Sequence, residues 1–127
     1  WSSDVCSSDL YSGLEDLQKK EYLQLPYIPE ECEHNAHMFY IKVKDLEERT
    51  RLSSYLRERG IYAVFHYVPL HSSAAGQTYG EFVGEDRYTT KESERLLRLP
   101  MFYALKPELC DYIIECIRRY WTGSKAE

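Results

Sequence analysis

The chain has 127 residues, 29% of them charged, and a formal charge of −5, a size for one domain with a modest core. A mildly acidic mixture of charges argues against nucleic acid or an anionic membrane as the main partner, and no apolar run approaches a membrane-spanning length. Of the four cysteines, Cys32, Cys110 and Cys116 show no framework spacing, which fits a reducing, cytoplasmic compartment.

Trp1 to Leu10, which holds the fourth cysteine, reads as the conceptual translation of a common short-read sequencing adapter, in phase with the frame downstream of it. It has neither the basic nor the apolar region of a signal peptide. We therefore set residues 1–10 apart from the fold and expect no tertiary role for them, with the genuine chain starting near Tyr11 and lacking sequence upstream. Residues 11–30 read as a linker and the end of a truncated helix: Leu14 to Tyr22 is the helix end. Leu25-Pro26-Tyr27-Ile28-Pro29 is an extended connector, because each proline biases its predecessor away from helix.

Residues 31–121 read as a domain, with a short tail at 122–127. Asn35 to Lys44 alternates, so that His37, Phe39, Ile41 and Val43 share one face of a strand and Met38, Tyr40 and Lys42 the other. Asp45 with Glu48 forms a capping pattern for a helix from Leu46, with Leu46, Leu52, Tyr55 and Leu56 as its stripe and Gly60 as its terminator. Ile61 to Tyr67, β-branched and aromatic, reads as a second strand that should stop near Pro69. His66, Tyr67 and His71 thus lie where a strand opens into a loop. That is either a core strand with a polar end or a set of polar groups handed to a cleft.

From Val68 to Tyr88 there is no periodicity, and a loop of that length inside a compact domain tends to be functional or disordered. Gly76, Gly80 and Gly84 match no phosphate-loop pattern and are read as turn residues. Thr89 with Glu92 predicts a capped helix to Leu97, and Leu97 to Phe102 a strand that Pro100 places at an edge or a strand end. Pro107 opens the last helix, with Leu109, Ile113, Ile114, Ile117 and Trp121 on its buried face and Arg118 and Arg119 near its C-terminus.

Cys32, His34, His37, His66 and His71 are of metal-ligating types, but His34-x-x-His37 with a lone cysteine matches no closed tetrahedral signature, and no metal is expected. Cys110 and Cys116 fall in an amphipathic helix and read as small buried hydrophobes, not nucleophiles.

Three blocks carry a resemblance: Asn35-Ala-His-Met-Phe-Tyr-Ile-Lys, Ala63-Val-Phe-His-Tyr-Val-Pro-Leu-His, and Gly84-Glu-Asp-Arg-Tyr-Thr-Thr-Lys-Glu-Ser-Glu-Arg-Leu-Leu-Arg-Leu-Pro. Together they resemble the C-terminal part of the DegT/DnrJ/EryC1/StrS sugar-nucleotide aminotransferases, from about Leu25 to Trp121. The resemblance implies an α/β protein of the α+β two-layer kind: the small C-terminal domain of a fold-type I aminotransferase, a short sheet with packed helices. It implies pyridoxal phosphate as cofactor of the parent enzyme, a nucleotide-sugar and glutamate as substrates, amino transfer to C4 of dTDP-4-keto-6-deoxyglucose, and a homodimer. It also implies that the Schiff-base lysine lies in the large N-terminal domain, so that this chain has no catalytic residue and is inactive alone. His66-Tyr67 and His71 match the family's His-Tyr-x-Pro-x-His segment beside the sugar-nucleotide site, with Tyr67 the expected sugar contact, since a phenol both donates and accepts a hydrogen bond. Asn35 and His37 match the strand-start motif, in a structural or a binding role. Arg87 is suited either to the diphosphate or to a solvated salt bridge. Two readings stand beside the enzyme: a non-enzymatic module that holds a small ligand in the histidine-tyrosine loop, and a dimerisation or regulatory domain without ligand.

Overall fold

The computed structural model describes residues 3–123, with side chains from Cys6 onward. Helix α1 runs from Ser3 to Lys19, β1 from Phe39 to Lys42, α2 from Leu46 to Arg57 and β2 over Val64–Phe65. A 3₁₀ turn at Leu70–Ser72 leads into α3 (Ala74–Tyr79), then α4 (Thr89–Arg95), β3 (Leu96–Leu99) and α5 (Pro107–Thr122).

The first segment departs from expectation. Residues 3–10 are not separate from the fold: they form the first half of α1, continuous with the helix that ends at Lys19. The reason is spacing. Cys6, Leu10, Leu14 and Leu17 recur on one helical face, and all four are buried. They pack on α5 and the turn before it, where the Cys6 thiol donates to the Leu105 carbonyl (3.5 Å) and the Cys110 thiol to the Cys6 carbonyl (3.7 Å). Burial pushes the Cys110 thiol up to about 12, which keeps it protonated. Arg118 clamps the same pair of helices, with Nη1 and Nη2 on the two carboxylate oxygens of Asp16 (2.7 and 2.8 Å) and Nη1 also on the Gly13 carbonyl (2.8 Å). Each leucine buried along this seam contributes about 1.5–3 kcal/mol, so the segment set apart is an integral part of the core.

β1 and β2 both pair antiparallel with β3, in the order β1-β3-β2, so β1 and β2 run parallel with β3 between them. This is a split crossover through α2. The predicted alternation of β1 is observed: Phe39, Ile41 and Val43 are buried, whereas His37, two residues before the strand, is exposed. Gln24 pairs with Lys42 and covers the outer edge of β1. β3, expected at an edge or a strand end, is the central strand, and Pro100 lies just beyond its last residue, where it removes no ladder bond. The second strand is shorter than Ile61 to Tyr67, yet Ile61 and Ala63 keep the alternation and are buried.

α2 starts as its sequence predicts, with the Asp45 carboxylate accepting from the Glu48 amide at 2.9 Å. It ends in a Schellman turn: Ile61 N donates to the Leu56 carbonyl and Gly60 N to the Arg57 carbonyl, with Gly60 at φ +75. α1 ends the same way, with Glu21 at φ +60 in the place of a glycine. The Thr89 cap does not form. Tyr88 precedes α4 without a side-chain cap, and the Asp86 carboxylate accepts from the Thr90 amide instead. Among stripe residues, Leu46 and Leu109 are exposed, while Cys110, Ile113, Cys116 and Ile117 form the buried face of α5. The result is two layers: the sheet presents Phe39, Ile41, Leu97 and Leu99 to α1, α2 and α5, and the main hydrophobic cluster lies between. No described helix is long and apolar enough to cross a membrane.

Candidate functional site

Past β2 the chain leaves the core. From residue 64 to residue 96 none is buried, and the aromatic and aliphatic side chains there face outward. The length of the stretch and the absence of hydrophobic period have one cause: there is no buried face to impose a period.

His66 and Tyr67 are adjacent, their rings edge to face with centroids 3.9 Å apart across a cis peptide bond. Tyr67 is 71% exposed, and its hydroxyl has no partner among the described residues, so both its hydrogen-bonding functions are open. His66 and Tyr67 thus lie past the buried part of the second strand, at its exposed end.

His71 is placed differently. The 3₁₀ turn that carries it is fixed by Ser73, whose hydroxyl donates to the Leu70 carbonyl (2.7 Å) and accepts from the Gly76 amide (3.0 Å) as the N-cap of α3. Gly76 is required there for closeness rather than for turning: a Cβ on it would stand 1.7 Å from the Leu70 carbonyl oxygen. Gly84, at φ +96, is the turn glycine that its position predicts. His71 Nε2 lies 3.0 Å from the Asp86 carboxylate and 3.3 Å from the Thr90 hydroxyl, and its ring tilts against Phe82 at 4.5 Å. Asp86 is held below the usual carboxylate range, first by the Thr90 hydroxyl and then by the Thr90 amide and His71. An ionised Asp86 only accepts, so it fixes Nε2 as the donor of this pair. A cavity of about 550 Å³ opens beside it, walled by Leu70, Ala75, Tyr79 and Phe82 with His71, Glu81 and Thr89 as its polar points. An apolar concavity with few polar groups suits a small ligand.

Arg87 does not join this cluster. Its Nε donates to Glu85 at 2.8 Å, both side chains are largely exposed, and neither lines the cavity. The structure therefore brings His71 together with Asp86, Thr90 and Phe82, keeps His66 with Tyr67 on the exposed loop, and leaves Arg87 in a solvated pair. Asp86 and Thr90 were not singled out in the sequence, although an acid four residues before a threonine at a helix start is a local signal for such a bond.

The remaining candidates are local. His37 Nδ1 sits 2.6 Å from the Asn35 side-chain oxygen, and His34 Nδ1 accepts from the Ala36 amide, so both imidazoles shape the entry to β1. No group of three metal-ligating side chains is gathered among the described residues. Lys19, Lys20, Lys42 and Lys44 are ion-paired, and no lysine among the described residues lines the His71 cavity. A larger groove of about 780 Å³ beside β1 is lined by Tyr22, Tyr27, Tyr40, Lys42 and Arg95, of which Lys42 and Arg95 are already held by Glu92.

These features define a two-layer α+β unit that packs its helices on one sheet face and carries a histidine-aromatic loop outside the core. The chain belongs to the DegT/DnrJ/EryC1/StrS aminotransferase family, whose family model matches residues 7–118. It is 30% identical over 94 residues to the pleiotropic regulatory protein of Geobacillus stearothermophilus, covering 73% of this chain and 25% of that one. With the dTDP-3-amino-3,4,6-trideoxy-alpha-D-glucose transaminase of Micromonospora megalomicea subsp. nigra it shares 28% identity over 113 residues, 87% of this chain and 29% of the relative. Among solved structures, the aminotransferase TlmJ from Streptoalloteichus hindustanus superposes with a TM-score of 0.82 at 22% identity, over 98% of this chain and 32% of that chain. The S. venezuelae DesV structure, solved with a ketimine intermediate, gives 0.81 at 24% identity, over 93% and 30%. The chain thus spans about a quarter to a third of the proteins it matches.

Proposed function

We propose that this chain is the C-terminal small domain of a pyridoxal phosphate-dependent nucleotide-sugar aminotransferase. In this proposal the parent enzyme moves an amino group from glutamate to C4 of dTDP-4-keto-6-deoxyglucose, giving dTDP-4-amino-4,6-dideoxygalactose for a cell-surface polysaccharide such as enterobacterial common antigen. It works as a cytoplasmic homodimer. The observation that carries this is the exposed, unpartnered Tyr67 hydroxyl beside His66, on a loop of the chain's own family motif. Tyr67 orients the sugar by a hydrogen bond, His66 backs its ring, and His71, held by Asp86, presents its ring at the neighbouring cavity. Arg87 reaches the diphosphate only by leaving Glu85.

The described residues do not fit pyridoxal phosphate itself. A Schiff-base lysine needs a sheltered site, whereas the described lysines are ion-paired or exposed and none of them lines the His71 cavity. The cofactor belongs to the large domain in this proposal, and the chain alone is expected to be inactive. A regulatory role without catalysis is the second reading, favoured by the name of the Geobacillus stearothermophilus relative.

The test is Tyr67→Phe in the full-length enzyme, with the two half-reactions followed separately by stopped flow. Losing one neutral hydrogen bond, worth about 0.5–1.5 kcal/mol, should lower catalytic efficiency on the keto-sugar about threefold to tenfold and leave the glutamate half-reaction unchanged. Equal losses in both, tracking a lower melting temperature, would return Tyr67 to a structural role.

A further inference from the structure

The sheet has a second face, turned away from the three helices of the core. On β3, Leu97 and Leu99 turn into the core, which sends Arg98 to the opposite side. There it stands on the central strand, opposite Tyr40 of β1 and Val64 of β2. Arg49, Arg95 and Arg118, the other partly buried arginines, are each engaged, on the Ser93 carbonyl, on the Val43 carbonyl with Glu92, and on Asp16. Arg98 has no hydrogen bond or ion pair among the described residues, and its Nε is sealed from solvent with no acceptor. A guanidinium cannot shed its charge, so a shielded donor without a partner is a cost that the fold carries for some other reason.

We infer that Arg98 anchors a docking surface for a second protein segment, one that presents a carboxylate framed by apolar side chains. The surroundings match that chemistry: Val64, 49% exposed, and Tyr40 flank the arginine on its two neighbouring strands. Arginine and tyrosine are both enriched at interface hot spots. A phosphate group would draw on several cations, but Lys42, on the same face of β1 as Tyr40, is already paired with Glu92 at 2.8 Å. A single guanidinium fork is matched instead by one carboxylate. A second copy of this chain is disfavoured, because a two-fold pairing centred on this face would bring two guanidinium groups together. None of these residues lines the His71 cavity, so the docking surface stands or falls apart from the sugar contact.

The experiment follows the Arg98 Nε–Hε cross-peak in the NMR spectrum of the chain during titration with 3-phenylpropionate, with 3-phenylpropan-1-ol, and with inorganic phosphate at matched ionic strength. The expected result is a saturable shift with the carboxylate, absent with the alcohol and in Arg98→Gln, and smaller with phosphate. No shift, a larger shift with phosphate, or equal shifts at every arginine would overturn the inference. A second variant guards against misfolding: Arg98→Leu should leave the unfolding midpoint unchanged or raise it, since it removes an unpaired charge. A lowered midpoint would make Arg98 part of the fold instead.

Discussion

Every buried residue of the described chain lies before residue 64 or after residue 96. The intervening stretch is nevertheless far from purely polar. It holds Phe65, Val68, Leu70, Tyr79, Phe82, Val83 and Tyr88, with Tyr79 90% exposed and Val83 87%. The two regions differ in what holds them. The core is held by apolar burial between sheet and helices, with Arg118 and Asp16 as a clamp. The outer stretch is held by short polar contacts: Ser73 on Leu70 and Gly76, Asp86 on Thr90 and His71, Arg49 of α2 on the Ser93 carbonyl of α4, and Arg95 of α4 on the Val43 carbonyl. Apolar side chains that the fold does not bury are free for contact with something else, so stability and recognition reside in different parts of the sequence.

The sharpest way to break this comparison is at the start of α1. Leu10→Ala removes a fully buried side chain between α1 and α5 and should cost about 2–5 kcal/mol in urea unfolding. A cost near zero would return residues 1–10 to the role first expected for them.

A smaller effect of opposite sign is expected at Glu21, which ends α1 in the left-handed region. Glu21→Gly relieves that conformation and should stabilise the chain by up to about 1 kcal/mol, part of the relief being lost to the freer unfolded chain. Destabilisation would mean that the side chain holds the turn by contacts of its own.

The smallest effect belongs to the outer stretch and to pH. Asp86 is depressed in the folded chain, so its contacts with Thr90 and His71 are present above the ordinary aspartate range and lost as pH falls through the lower folded value. NMR signals of His71 and Thr90 should therefore change together at acid pH, before α5 unfolds. A global transition at the same pH would tie the outer stretch to the core.

Much of the fold was legible because its signals are local. The alternation of β1, the Asp45 cap, the Gly60 terminator and Pro107 at the start of α5 each depend on residues within one turn or one strand. The start of α1 was lost because composition set it aside, although the spacing from Cys6 through Leu10 and Leu14 to Leu17 runs across that boundary. The central place of β3 was not legible, since Pro100 constrains only its own end, and the pairing of Ile41 with Leu97 spans more than fifty residues. Of the candidate site, the loop with His66, Tyr67 and His71 was visible in the sequence. The Asp86–Thr90 support and the bare Arg98 were not, because only the folded chain decides which polar groups find partners.

Native-state hydrogen exchange tests the division between the two regions most directly. Amides of α1, β1 and α5 should exchange only through global unfolding, while those of α3 and the 3₁₀ turn at Leu70–Ser72 should exchange through local opening at much lower free energy, with no dependence on Leu10→Ala. If α3 and that turn are protected to the same level as α5 and fall with it in Leu10→Ala, the outer stretch is part of the core unit, and the separation of stability from recognition is contradicted.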